Sequence, residues 1–248
     1  MHDDGAVTVV DAAVEAAVEA GTAVRRNSLL AASAPSGPFT AAAELVHLVN
    51  LDVVHEIDQP VTAVLFPVSC VVSVAASIGD DAVDVSTVGR EGVVGLSGVL
   101  GAPVHDSTAL CRVPGEALRL PVDVTRRLLV DDAAGLTVLH RYVRGHVGDL
   151  MQRLACNRTH GNEARCAGWL LKTSDRVGGA AFELTHATLA TMLGVRRATV
   201  TDSLAMLQQN GVVRSSRGTV SVLDRPALEA AACDCYAAFR RSLPMTAA

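Results

Sequence analysis

Apolar and polar positions change texture along the chain. Between about Leu45 and Leu120 the apolar residues form short β-branched runs broken by turn residues. Val61–Phe66, Val71–Ala76, Val83–Val88 and Ala109–Val113 predict strands, with turns at Gly79-Asp80-Asp81 and Gly89-Arg90-Glu91-Gly92. Many short strands at close spacing predict an antiparallel barrel or jelly roll. Beyond Pro121 the period lengthens. Leu136, Val143, Leu150 and Asn157 recur every seven residues, and Leu139, His146 or Val147, and Leu154 fall between them. This heptad-like seam predicts one helix of roughly 25 residues that packs on its own domain or pairs with a copy of itself. The order of barrel, long helix and basic domain favours pairing. A second helix is predicted over His160–Val177, with Ala167, Trp169 and Leu170 inward and Gly178-Gly179 as its stop. The first 40 residues are rich in Ala and Val, with a weak helix over Asp11–Ala20 and a break at Ser33–Pro38. They predict a poorly ordered extension.

Residues 184–223 carry the most specific pattern. Thr185 is an N-cap candidate, and Leu189, Met192 and Leu193 form the apolar side of a short helix. Gly194 permits the tight turn of a helix-turn-helix. Val200, Leu204 and Leu207 then face inward at i, i+4 and i+7, which leaves Arg197, Ala198, Thr201 and Asp202 on the open face of a recognition helix. Gly211 ends that helix. Val212-Val213, a basic tip at Arg214-Ser215-Ser216-Arg217-Gly218, and Thr219–Leu223 predict a two-stranded wing. The expected DNA contacts are Thr185, His186, Arg196, Arg197, Thr199, Thr201, Asp202, Ser216 and Arg217.

Charge supports this division. Of the 248 residues, 1–139 hold 7 Arg against 18 acids, a net −11, while 140–248 hold 14 Lys and Arg against 8 acids, a net +6. The basic half is the candidate for a polyanion such as double-stranded DNA. Aromatics are 3% of the chain, so Val, Leu and Ala must fill the core. Gln59–Gly79 is uncharged and long enough to span a bilayer, but Pro67 and a turn-like Pro67-Val68-Ser69-Cys70 favour two buried strands. With His2, Asp3 and Asp4 at the start and no apolar run after them, the expectation is a cytoplasmic protein without a membrane partner. Of six Cys, Cys233 and Cys235 form the one close pair; with no second pair to complete a four-ligand site, no metal and no cofactor is expected.

Enzymatic motifs fail on spacing. His55-Glu56-Ile57-Asp58-Gln59 lacks the second His of a zinc protease, and Gly95-Leu96-Ser97-Gly98 lacks the spacing of a nucleophile elbow. No phosphate-loop pattern exists. The expectation is that the chain is not an enzyme. A metabolite-binding barrel without DNA binding is the alternative.

The helix-turn-helix and wing resemble those of the Crp/Fnr family of bacterial transcription regulators. Phe66-Pro67 with Val71-Val72-Ser73, Val88-Gly89-Arg90-Glu91-Gly92, and Val113-Pro114-Gly115-Glu116-Ala117-Leu118 are similar to that family's barrel. Residues 133–157 match its dimerisation helix, and Ala155-Cys156-Asn157-Arg158 with Trp169-Leu170-Leu171 match the entry to its winged domain. The implied fold is α+β: an N-terminal double-stranded β-helix (jelly-roll) barrel, a long dimerisation helix and a C-terminal winged helix-turn-helix. The implied layout is an N-terminal extension over 1–40, a cyclic-nucleotide-binding-like barrel over 41–122, connecting and dimerisation helices over 123–158 and the winged domain over 159–248. The resemblance also implies a homodimer on a pseudo-palindromic operator, with Leu136, Val143, Leu150 and Leu154 as its seam. RNA polymerase and an unidentified small-molecule effector are further partners in that picture.

Cyclic-nucleotide sensors of the family use a Gly-Glu pair and, further on, an Arg followed by Ser or Thr. The matching positions here are Gly95-Leu96 and Asp106-Ser107. Leu cannot bind the ribose hydroxyl, and Asp would repel the phosphate, so cyclic AMP is not the expected effector. No Cys precedes Cys70, which departs from the family's N-terminal iron–sulfur cluster. His47, His55 and His105 are candidate haem ligands, set against the commoner structural role of a lone His. In the recognition helix Arg197 matches the family's base-reading Arg, while Ala198 and Asp202 depart from its common residues.

Overall fold

The computed structural model describes residues 18–33, 37–78 and 81–243. The β-branched runs pair into two antiparallel sheets. One has the order β1-β7-β3, from Glu44–Leu48, Gly115–Pro121 and Ala63–Pro67. The other has the order β2-β6-β4-β5, from Val53–His55, Thr108–Val113, Val71–Ile78 and Asp81–Val88. Leu65 and Ala117 of the first sheet pack with Val72, Val88, Ala109 and Cys111 of the second, so the apolar faces enclose one core. This is the jelly-roll barrel. The expected turn at Gly79-Asp80 lies outside the described residues.

Ala- and Leu-containing segments before the barrel are helical, against expectation. Residues 18–26 (α1), Ser28–Ser33 (α2) and Gly37–Ala42 (α3) bury Ala20, Ala23, Val24, Leu29, Leu30 and Phe39. The buried Asn27 joins them to the barrel, donating to the carbonyls of Pro67 (2.9 Å) and Gly92 (3.0 Å). The poorly ordered extension expected over 1–40 is therefore corrected for 18–33 and 37–40. Most of the weak helix expected over Asp11–Ala20 lies outside the described residues.

A short helix α4 (Leu96–Val99) follows Gly95, whose φ is +86°, and α5 (Val122–Leu129) leaves the barrel. The long helix α6 spans Ala133–Thr159, capped by Asp132, whose carboxylate accepts from the Gly135 N–H at 2.8 Å. One face packs on its own chain through Leu139, Tyr142, Gly145 and Asp149. Leu139 therefore belongs to the core and not to the seam.

The winged domain begins with α7 (Asn162–Val177), which ends at Gly178 in the left-handed conformation. Strand β8 (Ala181–Glu183), helices α8 (His186–Leu193) and α9 (Arg197–Gln209) and the hairpin β9 (Val213–Ser216) and β10 (Thr219–Val222) follow. Helices α10 (Arg225–Ala231) and α11 (Cys235–Ser242) return the chain to α6, where a Cβ at Gly145 would collide with the Ser242 carbonyl.

The Gly89-Arg90-Glu91-Gly92 segment joins barrel, long helix and winged domain. A Cβ at Gly89 would collide with the Arg176 side chain, and one at Gly92 with the Tyr142 phenol. Arg176 of α7 is 2% exposed and meets Glu91 at 2.6 Å. It also donates to Thr87 Oγ1 (2.5 Å) and to the Thr87 carbonyl (2.9 Å).

Candidate nucleic-acid interface

Leu189, Met192 and Leu193 of α8 and Val200, Leu204 and Leu207 of α9 are buried, so the two helices seal against the domain core. Gly194, with φ +64°, makes the turn between them. The Thr185 hydroxyl caps α8 by accepting from the Thr188 N–H at 3.0 Å. Arg196 stands at the N-cap of α9.

On the outer side Arg196, Arg197, Ala198, Thr201 and Asp202 are exposed and Thr199 is half-buried. Thr201 donates back to the Arg197 carbonyl (3.0 Å), and its oxygen lies 3.0 Å from His186 Nδ1. His186 Nε2 reaches Ser215 Oγ at 3.3 Å, so this ring links α8, α9 and the wing. Gln208 adds a second link by accepting from the Ser215 N–H at 2.7 Å. Sequence reasoning gave Gln208 no role; its position in the last turn of α9, just before the wing, is the signal that could have shown it.

The wing turns through Arg217 and Gly218, both at positive φ, which places the exposed Ser216 and Arg217 at its tip. Thr185 and Arg217 also line a cleft of about 350 Å³ whose far wall is Asn50, Arg112 and Pro114 of the barrel. Arg112 is held there by Asp84 at 2.7 Å.

Gly95, Leu96, Asp106 and Ser107 line one barrel cavity of about 260 Å³. Its walls include His55, Val88, Val93 and Val94, and His146 of α6 closes it on the side of the long helix. No Arg or Lys is among its described lining residues. The Asp106 carboxylate accepts from the Ser107 hydroxyl at 3.1 Å. Of the candidate haem ligands, His47 is exposed on β1, whereas His55 and His105 stack with ring centroids 3.7 Å apart. Burial, with His105 adding, holds the His55 imidazole down at about 4, against the opposing charge of Asp106.

On α6, Leu136, Val143 and Leu150 are half-buried. Val147 is 49%, Met151 67% and Leu154 67% exposed. The helix therefore carries an apolar stripe away from its own core.

The Cys pair is not isolated as the sequence suggested. Helix α11 brings Cys233 and Cys235 to Cys156 and His160 at the end of α6, with all four candidate ligand atoms within 4.8 Å of one another. The missing second pair is a Cys and a His one helical turn apart.

Comparison with known proteins agrees with this geometry. Residues 164–231 match the model of the Crp-like helix-turn-helix domain. FixK2 from Bradyrhizobium japonicum has the same fold, with a TM-score of 0.64, 16% identity and 77% of this chain matched to 98% of that one. So does a Crp/Fnr-family transcriptional regulator from Thermus thermophilus, at a TM-score of 0.58, 22% identity and coverage of 76% and 98%. A protein described as a putative cAMP-binding regulatory protein from Silicibacter pomeroyi gives a TM-score of 0.63, 20% identity and coverage of 86% and 98%. Sequence comparison with curated proteins finds no significant match. No helix among the described residues is long and apolar enough to cross a membrane. The winged domain defines a DNA-binding transcription regulator. Joined to this barrel and long helix, it has the fold of the Crp/Fnr-type regulators to which it is similar.

Proposed function

We propose that the protein acts as a homodimer on a two-fold-symmetric operator, reading base edges with α9 and holding phosphates with the wing. The observation that carries the reading is the outer face of α9: its inner side is sealed in the core while Arg197, Ala198, Thr201 and Asp202 stay open. An Arg at this place suits bidentate bonding to guanine O6 and N7. Asp202 is acceptor-only and suits the amino group of cytosine or adenine. Thr185, His186, Arg196, Thr199, Ser216 and Arg217 lie around that face, where phosphate contacts set register without reading sequence. Thr201, tied to His186 and to the helix backbone, positions more than it reads.

The stripe of Leu136, Val143, Val147, Leu150 and Leu154 supports pairing of two long helices, because pairing removes it from water. Two winged domains then lie on one face of the duplex with half-sites about one helical turn, ~34 Å, apart. The barrel cavity supports an effector that carries no phosphate, since Leu96 and Asp106 face it without a described cation. Its contact with His146 gives such an effector a direct route to the dimer helix. The layout that follows is a barrel over 41–122, connecting helices over 123–158 and a winged domain over 159–248.

Selection from a randomised duplex library tests the reading. An enriched inverted repeat with half-site centres about one turn apart is expected. Enrichment of no sequence, or of a single unrepeated half-site, contradicts it.

A further inference from the structure

Cys156 lies in the last turn of α6, and His160, four residues on, is the C-cap residue that follows the helix. Cys233 follows the end of α10, and Cys235 begins α11, which lies back along α6. Cys156 Sγ and Cys233 Sγ are 3.6 Å apart, and Cys235 Sγ is 3.5 Å from His160 Nδ1. Thr159 Oγ1 lies 3.5 Å from the same His nitrogen. A tetrahedral zinc ion with sulfur near 2.3 Å and nitrogen near 2.0–2.1 Å needs ligand atoms about 3.5–3.8 Å apart. Two of the pairs already have that spacing, and all four atoms lie within 4.8 Å of one another, close enough for small side-chain adjustments to close on one ion.

We propose that Cys156, His160, Cys233 and Cys235 form a mononuclear Cys₃His zinc site that clips the C-terminal helix to the end of the long helix. The donor set is that of a closed structural site, with no position left for substrate. An iron–sulfur cluster interposes several atoms between its thiolates and needs a wider cage. Three thiolates, one neutral His and Zn²⁺ leave a net charge of −1. Arg153 and Arg165 line the cavity that Cys156, Cys233 and Cys235 share and offset that charge at longer range. Gln152 Nε2 donates to Cys235 Sγ at 3.1 Å, the kind of outer hydrogen bond that orients a metal-bound thiolate.

The clip has a structural consequence. It closes a loop that contains the whole of α7 to α10, and thus the recognition helix and wing. Metal binding energy at such a site is folding energy for the enclosed segment. It also fixes the junction between the long helix and α7.

The test uses the full chain without an affinity tag that binds metal, purified under reductant and without chelator. Elemental analysis is expected to find one zinc per chain. Cobalt substituted for zinc is expected to give the absorption of a tetrahedral thiolate complex. Cys235→Ser and His160→Ala are expected to lose stoichiometric zinc, while Cys166→Ser, a buried thiol away from the cluster, keeps it. Gln152→Leu leaves all four ligands in place and is expected to weaken zinc binding by about 10–100-fold, which keeps the test decisive even if Cys235→Ser does not fold. A wild-type chain with no zinc and no thiolate–cobalt band overturns the proposal. So does iron with acid-labile sulfide, a Cys156–Cys233 disulfide in place of the ion, or zinc retained undiminished by both ligand variants.

Discussion

Replacing Arg176 by Met cuts the buried tie between barrel and winged domain. The guanidinium is 2% exposed, and its Nε and Nη2 both reach Glu91 Oε1, at 2.9 and 2.6 Å. Without it the Glu91 carboxylate keeps the Gly89 N–H at 3.1 Å, and its second oxygen has no partner even in the wild type. An uncompensated buried charge of this kind costs about 3–5 kcal/mol. For a chain of this size 1 kcal/mol moves the melting midpoint by roughly 2–4 °C, so a fall of roughly 6–20 °C is expected. The assay is a double-mutant cycle with Glu91→Met, followed by thermal melts. Once the carboxylate is also gone, the double variant should recover most of the loss, with a coupling energy of about 2 kcal/mol or more. A near-wild-type midpoint for Arg176→Met, or a double variant no better than the sum of the singles, refutes the assignment of Arg176–Glu91 as the joint.

Asp at both Val143 and Leu150 should give monomers by light scattering, because it puts two charges into each strand of an apolar seam; a wild-type monomer at micromolar concentration would sink the dimer. Titration calorimetry with cyclic AMP should show no saturable heat, since Asp106 lines the cavity with no Arg or Lys among its described lining residues and would repel a phosphate; a saturable response would show that the cavity is misread. The His55 imidazole titrates at about 4 when folded and near 6.5 when unfolded. Its contribution to stability is therefore complete above pH 6.5 and is lost as pH falls through about 4. His55→Gln should flatten that slope, and a melting midpoint indifferent to pH between 6.5 and 5 would contradict it.

Much of the site was legible because its punctuation is local. Gly178, Gly194 and Gly218 all adopt positive φ, and Thr185 caps the helix it precedes. The inner face of α9 follows from its 3.6-residue period. Strands β1 and β7 were not foreseen as strands because His47 interrupts the apolar residues of β1, and Glu116 and Arg119 those of β7, yet β7 lies between β1 and β3. The N-terminal helices were hidden by their small residues: Ala20 and Ala23 bury little area each, and α2 and α3 pack against α6, α5 and the barrel. The Cys cluster and the Arg176–Glu91 joint were invisible for another reason. Each pairs residues about 75 to 85 positions apart, and no local pattern marks which Arg or which Cys will meet its distant partner.

The central claim is that α9 reads DNA sequence, and Arg197→Ala tests it most directly. Wild type, Arg197→Ala and the wing variant Arg217→Ala are carried through the same randomised-site selection and a salt titration. Arg197→Ala is expected to cost roughly 1–3 kcal/mol and to relax preference at one base position in each half-site. Arg217→Ala is expected to weaken all sequences alike and to flatten the salt dependence by about one phosphate per protomer. Unchanged sequence preference in Arg197→Ala would contradict the placement of α9 as the recognition helix.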